Sequence, residues 1–173
     1  MVAFAKPCTL PGRHLGVSFA ELARLRRDNA FDLCLVKADG ARNRIIKAPA
    51  AHEPALPPDT TTVIPVCAIR AVGLPLDDRI CHRPARFTAV TDLREGQPVA
   101  PVHLARLLAS PDGALRGVHD ARVIPLINMV DDAAWEKLAI DVAEQALALT
   151  TRFAYVVLAA MRNPQPIVRV ITR

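Results

Sequence analysis

The chain has 173 residues and a mass of 18.8 kDa, the size of one domain. Hydrophobic residues make up 51% and charged residues 23%, which excludes global disorder, and the seven glycines exclude a collagen-like chain. The net charge is +5 and is uneven: residues 1–50 and 151–173 are basic, whereas residues 131–150 hold five acids and one lysine. This layout can attract an acidic partner, a nucleic acid or a second copy of the chain.

The apolar stretches are too short for a membrane protein. Residues 153–161 form the most apolar late run, and a membrane span needs about 20 residues. Residues 1–5 are likewise too short for a signal peptide. We therefore expect a soluble, cytoplasmic protein whose four cysteines are reduced thiols. The abundance of Ala, Arg, Pro and Val is typical of a GC-rich bacterial genome.

The first predicted elements lie in residues 1–60. Residues 1–16, which are punctuated by Pro7, Pro11 and Gly12, are predicted to be an irregular N-terminal segment. Ser18 and Glu21 form a capping box that starts a helix over 18–28. Residues 31–48 predict a β-hairpin around Asp39-Gly40, a dipeptide that favours a two-residue turn. Residues 49–60 hold four prolines and predict an extended connector.

Short strands and one short helix are predicted over residues 61–129. The expected strands span 61–72, 79–81, 86–91 and 123–129, and a short helix spans 102–109. Pro65 and Pro125 interrupt two of the strands, which indicates an edge position or a bulge. The segments around these prolines resemble each other at an offset of 60 residues, but their flanks differ, so coincidence is favoured over duplication.

A second long helix is predicted over residues 132–149, capped by Asp131 or Asp132. Ile140 and Leu147 widen its apolar stripe to roughly 200° of arc, more than a simple surface helix needs. The helix is either sandwiched inside the domain or covered by a partner, and these two residues are the candidate partner-binding positions. Residues 153–161 fit either a helix or a strand, and a terminal hairpin with a strand over 167–172 is preferred.

Together these elements predict a single α+β domain over residues 1–173. Its mixed or antiparallel sheet has about six to eight short strands, packed against two main helices (18–28, 132–149) and one short helix (102–109).

Metal and cofactor sites receive little support from the sequence. The cysteines are too far apart for a Cys-x-x-Cys motif, and there is no His-Glu-x-x-His motif and no glycine-rich phosphate loop. We therefore predict no metal and no cofactor. The alternative is a zinc site assembled by the fold from Cys8, His14, Cys81 and His82.

Catalytic candidates are equally few. Cys81 stands beside His82 among three arginines, the kind of electropositive neighbourhood that activates a thiol. His119 adjoins Asp120 and is a candidate acid or base. The simpler interpretation of each is an ordinary packed or exposed side chain.

Nucleic-acid binding is the leading alternative to protein binding. The first helix carries Arg24, Arg26 and Arg27, and the predicted hairpin end carries Lys37, Arg42 and Arg44. If the helix packs beside the hairpin, these cations form one phosphate-binding surface. Against this, aromatic residues make up only 4% of the chain, few for base stacking.

The sequence therefore favours a non-enzymatic protein–protein interaction or assembly module, in an oligomer or a larger complex. The alternatives are a nucleic-acid-binding protein and a small enzyme with a Cys/His site of unknown reaction.

Overall fold

The structure, a computed structural model, describes residues 2–9, 11 and 14–173. The chain divides into two compact units, residues 1–37 and residues 38–173. The α+β class and the mixed sheet are confirmed. A single folding domain over the whole chain stays a prediction. No helix in the described part of the chain is long and apolar enough to cross a membrane.

The first unit contains two very short strands and one helix. Strand β1 (Lys6–Pro7) pairs antiparallel with β2 (His14–Leu15), within the segment predicted to be irregular. Helix α1 (Phe19–Asp28) begins at the predicted capping box, in which the Ser18 hydroxyl accepts from the Glu21 amide and the Glu21 carboxylate accepts from the Ser18 amide. No residue of α1 is buried.

The predicted hairpin over residues 31–48 is wrong. Residues 31–45 contain no strand, and β3 (Ile46–Lys47) instead pairs in parallel with β6 (Cys81–His82). The second strand of the predicted hairpin does not form after the Asp39-Gly40 turn, because Arg42 and Asn43 both have left-handed backbones, with φ of 50° and 64°. Asp39 and Gly40 accept hydrogen bonds from the Lys47 ammonium group rather than forming the turn of a β-ladder.

The second unit is built on a parallel core with an antiparallel end. Its remaining strands are β4 (Thr62–Val63), β5 (Val66–Ala68), β7 (Arg122–Val123), β8 (Leu126–Asn128), β9 (Tyr155–Ala159) and β10 (Ile167–Thr172). One sheet has the order β10-β9-β8-β5, in which β5, β8 and β9 are parallel. The terminal hairpin is confirmed, since β10 runs antiparallel to β9.

The two similar proline-containing segments lie side by side. Thr62 is opposite Arg122 and Val66 is opposite Leu126, so the register of the two parallel pairs equals the 60-residue offset in the sequence. Pro65 separates β4 from β5, and Pro125 separates β7 from β8 at the equivalent position. Because β8 lies between β5 and β9, the expectation of an edge position is wrong for Pro125, whose carbonyl accepts from the Val157 amide at 2.9 Å.

Three helices complete the second unit: α2 (Pro84–Thr91), α3 (Pro101–Ala109) and α4 (Ala133–Leu149). The short helix and the second long helix confirm the predictions, and Asp132 caps α4 by accepting from the Trp135 amide at 3.0 Å. The predicted strand over 86–91 is wrong, because α2 occupies that segment. Pro84 favours the first turn of a helix, and the helix buries Phe87 and Thr91 on one face.

The connector over residues 49–60 contains no helix or strand, but it is packed rather than extended into solvent. Its first residues lie on the core, where Pro49 and Ala50 are buried. This packing holds Glu53 beside the ends of β3 and β6.

Candidate functional site

A cluster of charged side chains lies where β3 and β6 end. The two strands are parallel and in register, so Lys47 and His82 are neighbours at their carboxyl ends. The Lys47 ammonium group contacts the Asp39 carboxylate, lies 2.8 Å from Glu53 Oε2 and donates to the Gly40 carbonyl at 3.2 Å. These three contacts use all three of its hydrogen-bond donors. Its side chain is only 10% exposed, so its charge is compensated inside the protein.

Glu53 is the centre of this cluster. Its carboxylate accepts from Arg83 Nη1 at 2.6 Å and Nη2 at 3.2 Å, and from the Ala50 amide at 3.1 Å. Burial raises the pKa of Glu53, but the hydrogen bonds from Arg83, Lys47 and Ala50 outweigh it and bring the pKa far below its usual range. Glu53 is therefore ionised throughout the physiological pH range.

The backbone around the cluster is strained and held in place. Arg42, Asn43 and Arg83 all have positive φ values, of 50°, 64° and 72°. A non-glycine residue in the left-handed region costs free energy, so the surrounding structure has to fix it. Arg44 does this for the loop, because its guanidinium donates to the Asp78 carbonyl at 2.8 Å and to the Arg42 carbonyl at 2.9 Å.

The structure separates the candidate nucleophile from its proposed base. Cys81 is buried while its neighbour His82 is partly exposed, as alternation along a strand requires. Burial raises the pKa of the Cys81 thiol to about 12, which opposes formation of the thiolate that a nucleophile needs. His119 lies far along the chain, is exposed, and has its carbonyl bonded by Arg152 at 2.6 Å. These placements give the enzyme hypothesis no assembled site.

The four cysteines are expected to react very differently with alkylating reagents. Cys34 is exposed and Cys8 partly exposed, whereas Cys67 and Cys81 are buried, and burial raises the pKa of both to about 12. Iodoacetamide followed by mass spectrometry should label Cys34 first and leave Cys67 and Cys81 unlabelled until the protein is unfolded in urea. Labelling of Cys81 in the native protein at the rate of Cys34 would contradict this placement.

The proposed zinc ligands are divided between the two units. Cys8 and His14 belong to the first unit, and Cys81 and His82 to the second. Among the described residues there is no group of three or more His, Cys, Asp or Glu side chains arranged to hold a metal ion.

The six candidate nucleic-acid-binding residues are also divided. Arg24, Arg26 and Arg27 are exposed on α1, and Lys37 is the last residue of the first unit. Arg42 and Arg44 belong to the second unit, and they are brought together by the hydrogen bond described above. The hairpin that was expected to carry three of the six is absent from the structure, and a common surface formed by the six residues stays a prediction.

The apolar face of α4 is used within the chain. Leu147 is buried and Ile140 is packed, partly buried, against the same core. This burial fits the sandwiched alternative and leaves little apolar surface on α4 for a partner. Leu149, at the end of α4, is exposed, and the other large exposed apolar side chains lie elsewhere, notably in residues 31–36 and along β10.

Residues 31–36 form no helix or strand, and Leu33 and Leu35 are 73% and 80% exposed. Among the described residues, no strand pairs with this segment. The sequence contains an apolar run here of the kind that parallel sheets bury on both faces. The nearby Asp39-Gly40 dipeptide led instead to the prediction of a hairpin.

Lys47, Glu53 and Arg83 were not among the sequence candidates. Their spacing matches no known motif, because non-local pairing brings them together. The one available hint was Glu53 itself, a carboxylate in an apolar, proline-rich stretch.

The comparisons with known proteins cover the first half of the chain. The family model described as "YqeC protein" matches residues 1–85. An Escherichia coli (strain K12) protein described as "Uncharacterized protein YqeC" is 32% identical over 87 residues, which is 50% of this chain and 34% of that relative. The chain thus spans about a third of the curated relative's length. No solved structure matches it. The matched range contains Asp39, Lys47, Glu53, His82 and Arg83.

Proposed function

We propose that this chain is a non-enzymatic assembly module that forms a dimer by pairing residues 31–37 of two copies as antiparallel strands. The observation that carries the proposal is the exposed apolar segment with Leu33 and Leu35, which forms no helix or strand in the structure. A large exposed apolar stretch typically marks an interaction site. A cytoplasmic location is part of the proposal, since the free cysteines suit a reducing compartment.

The segment has the properties of a strand that lacks neighbours. In a strand, Leu33 and Leu35 lie on one side of the chain, and Cys34 and Val36 lie on the other. All four residues are exposed. Burying a leucine side chain contributes about 2 kcal/mol, so covering this segment supplies a substantial driving force for association.

The charges that flank the segment favour a second copy as the partner. A two-fold axis in an antiparallel pair places one residue opposite its own copy, so with the axis at Cys34, Leu33 is opposite Leu35 of the second copy. In the same register Asp32 and Lys37 of the second copy lie one position apart at each end of the ribbon, so opposite charges are close together. The closed two-fold pairing also limits assembly to a dimer.

Light scattering coupled to size-exclusion chromatography tests this proposal. Wild-type protein at about 100 μM should elute as a dimer, in the micromolar affinity range expected of a small strand interface. Leu35→Asp should give a monomer, because it places a charge in the apolar cross-strand pairs that hold the two copies together. The control Leu149→Asp changes another exposed leucine, at the end of α4, and should remain dimeric. A monomeric wild type, or a dimeric Leu35→Asp, would exclude this interface.

A charge swap tests the antiparallel pairing. Lys37→Glu should weaken the dimer several-fold, since it replaces attraction to Asp32 of the second copy by repulsion, and Asp32→Lys combined with Lys37→Glu should restore it. Absorbance at 260 and 280 nm in the same runs tests the alternative: elution with nucleic acid at low salt and release at high salt would favour the nucleic-acid-binding function.

A further inference from the structure

The sheet formed by β10, β9, β8 and β5 is covered by helices α3 and α4 on one face. Strands β5, β8 and β9 are parallel and follow one another across the sheet, so their right-handed crossovers place both helices on the same side. A contact with α4 identifies this side: Arg169 Nε of β10 lies 2.6 Å from Glu136 Oε1. Arg169 is opposite the buried Leu158, which therefore marks the helix-covered face.

The opposite face, called here the open face, carries a row of apolar side chains in register. One residue from each strand belongs to the row: Val66, Leu126, Val157 and Val170. Because side chains alternate along a strand, all four lie on the side away from Leu158. Val66 and Val170, in the two outer strands, are 62% and 48% exposed. The row is therefore an apolar band across the whole width of the sheet that meets solvent.

The open face is also apolar beyond the row. Ile64 is 50% exposed, and Ile124 is half-buried in the neighbouring chain segment. A sheet face that stays in water usually alternates with polar residues, whereas strands covered on both faces are apolar throughout. None of β5, β8, β9 and β10 contains an acidic residue. This pattern indicates a second layer of protein over the open face.

The size of the open face favours a single helix over a second copy of the chain. Strands lie about 4.8 Å apart and rise about 3.3 Å per residue, so the face measures roughly 15 Å by 17 Å. One helix of about eleven residues, about 10–12 Å wide, fills this area. A stable interface between two copies needs about 800 Å² on each partner, roughly three times as much.

A single cation lies at the end of the open face where the parallel strands begin. Arg122 is exposed, and its Nη2 donates to the Thr62 hydroxyl of the paired strand at 3.4 Å. Among the described residues, no carboxylate lies within ion-pair distance of Arg122. A partner that carries Asp or Glu beside its apolar residues supplies the missing counterion.

We propose that the open face docks one amphipathic α-helix of a partner protein. The apolar stripe of the helix lies along the row from Val66 to Val170, and a carboxylate at its edge pairs with Arg122. The helix then completes the cover that parallel strands have on both faces. A contact of this size is weak, so we expect a dissociation constant of about 100 μM for an isolated helix.

The open face and the strand dimer are independent. The proposed dimer interface uses residues 31–37 of the first unit, whereas every residue of the open face lies in residues 38–173. A monomeric wild type that still binds the helix would exclude the dimer and retain the docking surface.

A chemical-shift titration of the full-length ¹⁵N-labelled protein with a model peptide tests the docking surface. The probe is a helical peptide of about 18 residues, made of leucine, alanine and glutamate with the leucines on one face. The reference peptide has the same composition with the leucines distributed around the helix. The probe should cause saturable shifts in the amides of Val66, Leu126, Val157 and Val170, and the reference peptide should bind at least about fivefold more weakly.

Two variants connect the binding to the open face. Val66→Asp should raise the dissociation constant about tenfold, because it places a charge under the leucine stripe. The control Leu149→Asp changes an exposed leucine on α4, on the other side of the sheet, and should leave the constant unchanged. Arg122→Gln should weaken binding of the glutamate peptide about threefold and leave binding of a glutamine version of the peptide unchanged.

Three outcomes would overturn the proposal. One is the absence of saturable shifts along the row. The second is equal weakening by Val66→Asp and Leu149→Asp, which would show that the peptide adsorbs to any exposed apolar residue. The third comes from light scattering: a wild-type dimer that Val66→Asp dissociates and Leu35→Asp does not would show that a second copy covers the open face.

Discussion

Glu53→Gln is expected to lower the free energy of unfolding by about 2–3 kcal/mol at pH 7, below the roughly 3–5 kcal/mol typical of a fully buried ion pair because Glu53 is 19% exposed. The glutamine has nearly the same shape but no charge. It leaves the Arg83 guanidinium without its paired carboxylate and the Lys47 ammonium group with Asp39 as its remaining counterion. Urea denaturation of wild type and variant measures the difference. Glu144→Gln, an exposed acid on α4, is the control and should change stability by less than about 0.5 kcal/mol.

The same variant should also change the pH dependence of stability. The pKa of Glu53 is lower in the folded protein than its value of about 4.3 in the unfolded chain. The folded state therefore binds fewer protons, and the stabilisation is fully present above the unfolded pKa and decreases as the pH falls below it. Wild-type protein should lose stability more steeply than Glu53→Gln between pH 5 and pH 3. Parallel pH profiles would show that Glu53 is not ion-paired in solution.

The sequence predicted the elements that depend on local interactions. The capping box of Ser18 and Glu21 and the Asp132 cap satisfy amide groups within three residues of themselves, so both helix starts can be identified from the sequence alone. The prolines at 65 and 125 divide their strands as expected, because proline lacks the amide that a ladder needs. The turn at residues 163–166 likewise separates β9 from β10.

The failures come from pairing between distant residues. The apolar run at 31–36 and the turn-forming Asp39-Gly40 are compatible with a hairpin, but β3 instead pairs with β6, so that Ile46 lies opposite Cys81. No local signal identifies a partner 35 residues away, and parallel pairing needs no turn. The candidate site has the same origin, since Glu53 and Arg83 are 30 residues apart and meet only because the connector packs on the core.

The segment over 86–91 shows how burial overrides local preference. Its β-branched and aromatic residues favour a strand, yet α2 forms because a helix buries Phe87 and Thr91 four residues apart on one face. The Thr91 hydroxyl then donates to the Phe87 carbonyl at 2.8 Å, and the Arg106 guanidinium of α3 donates to the Thr91 carbonyl at 2.8 Å. The tertiary contacts of α2 with α3 therefore fix the helix.

Phe87→Ala should lower the free energy of unfolding by about 3–5 kcal/mol, the largest single-residue effect predicted for this chain. Phe87 is fully buried among the largest side chains of the core, so its removal leaves a cavity that its neighbours fill only in part. The matched variant is Ala89→Glu. In α2 this position is exposed, and the cost should stay within about 0.5 kcal/mol.

A strand over the same residues would give the opposite result for Ala89→Glu. Residues 87 and 89 would then share the buried face, and the glutamate would place an unpaired charge in the core, at a cost comparable to that of Phe87→Ala. Urea denaturation of the two variants thus distinguishes helix from strand at the element whose first turn carries Arg86. If Ala89→Glu unfolds the protein, then α2 is wrong, and the placement of Arg83 against Glu53 is wrong with it.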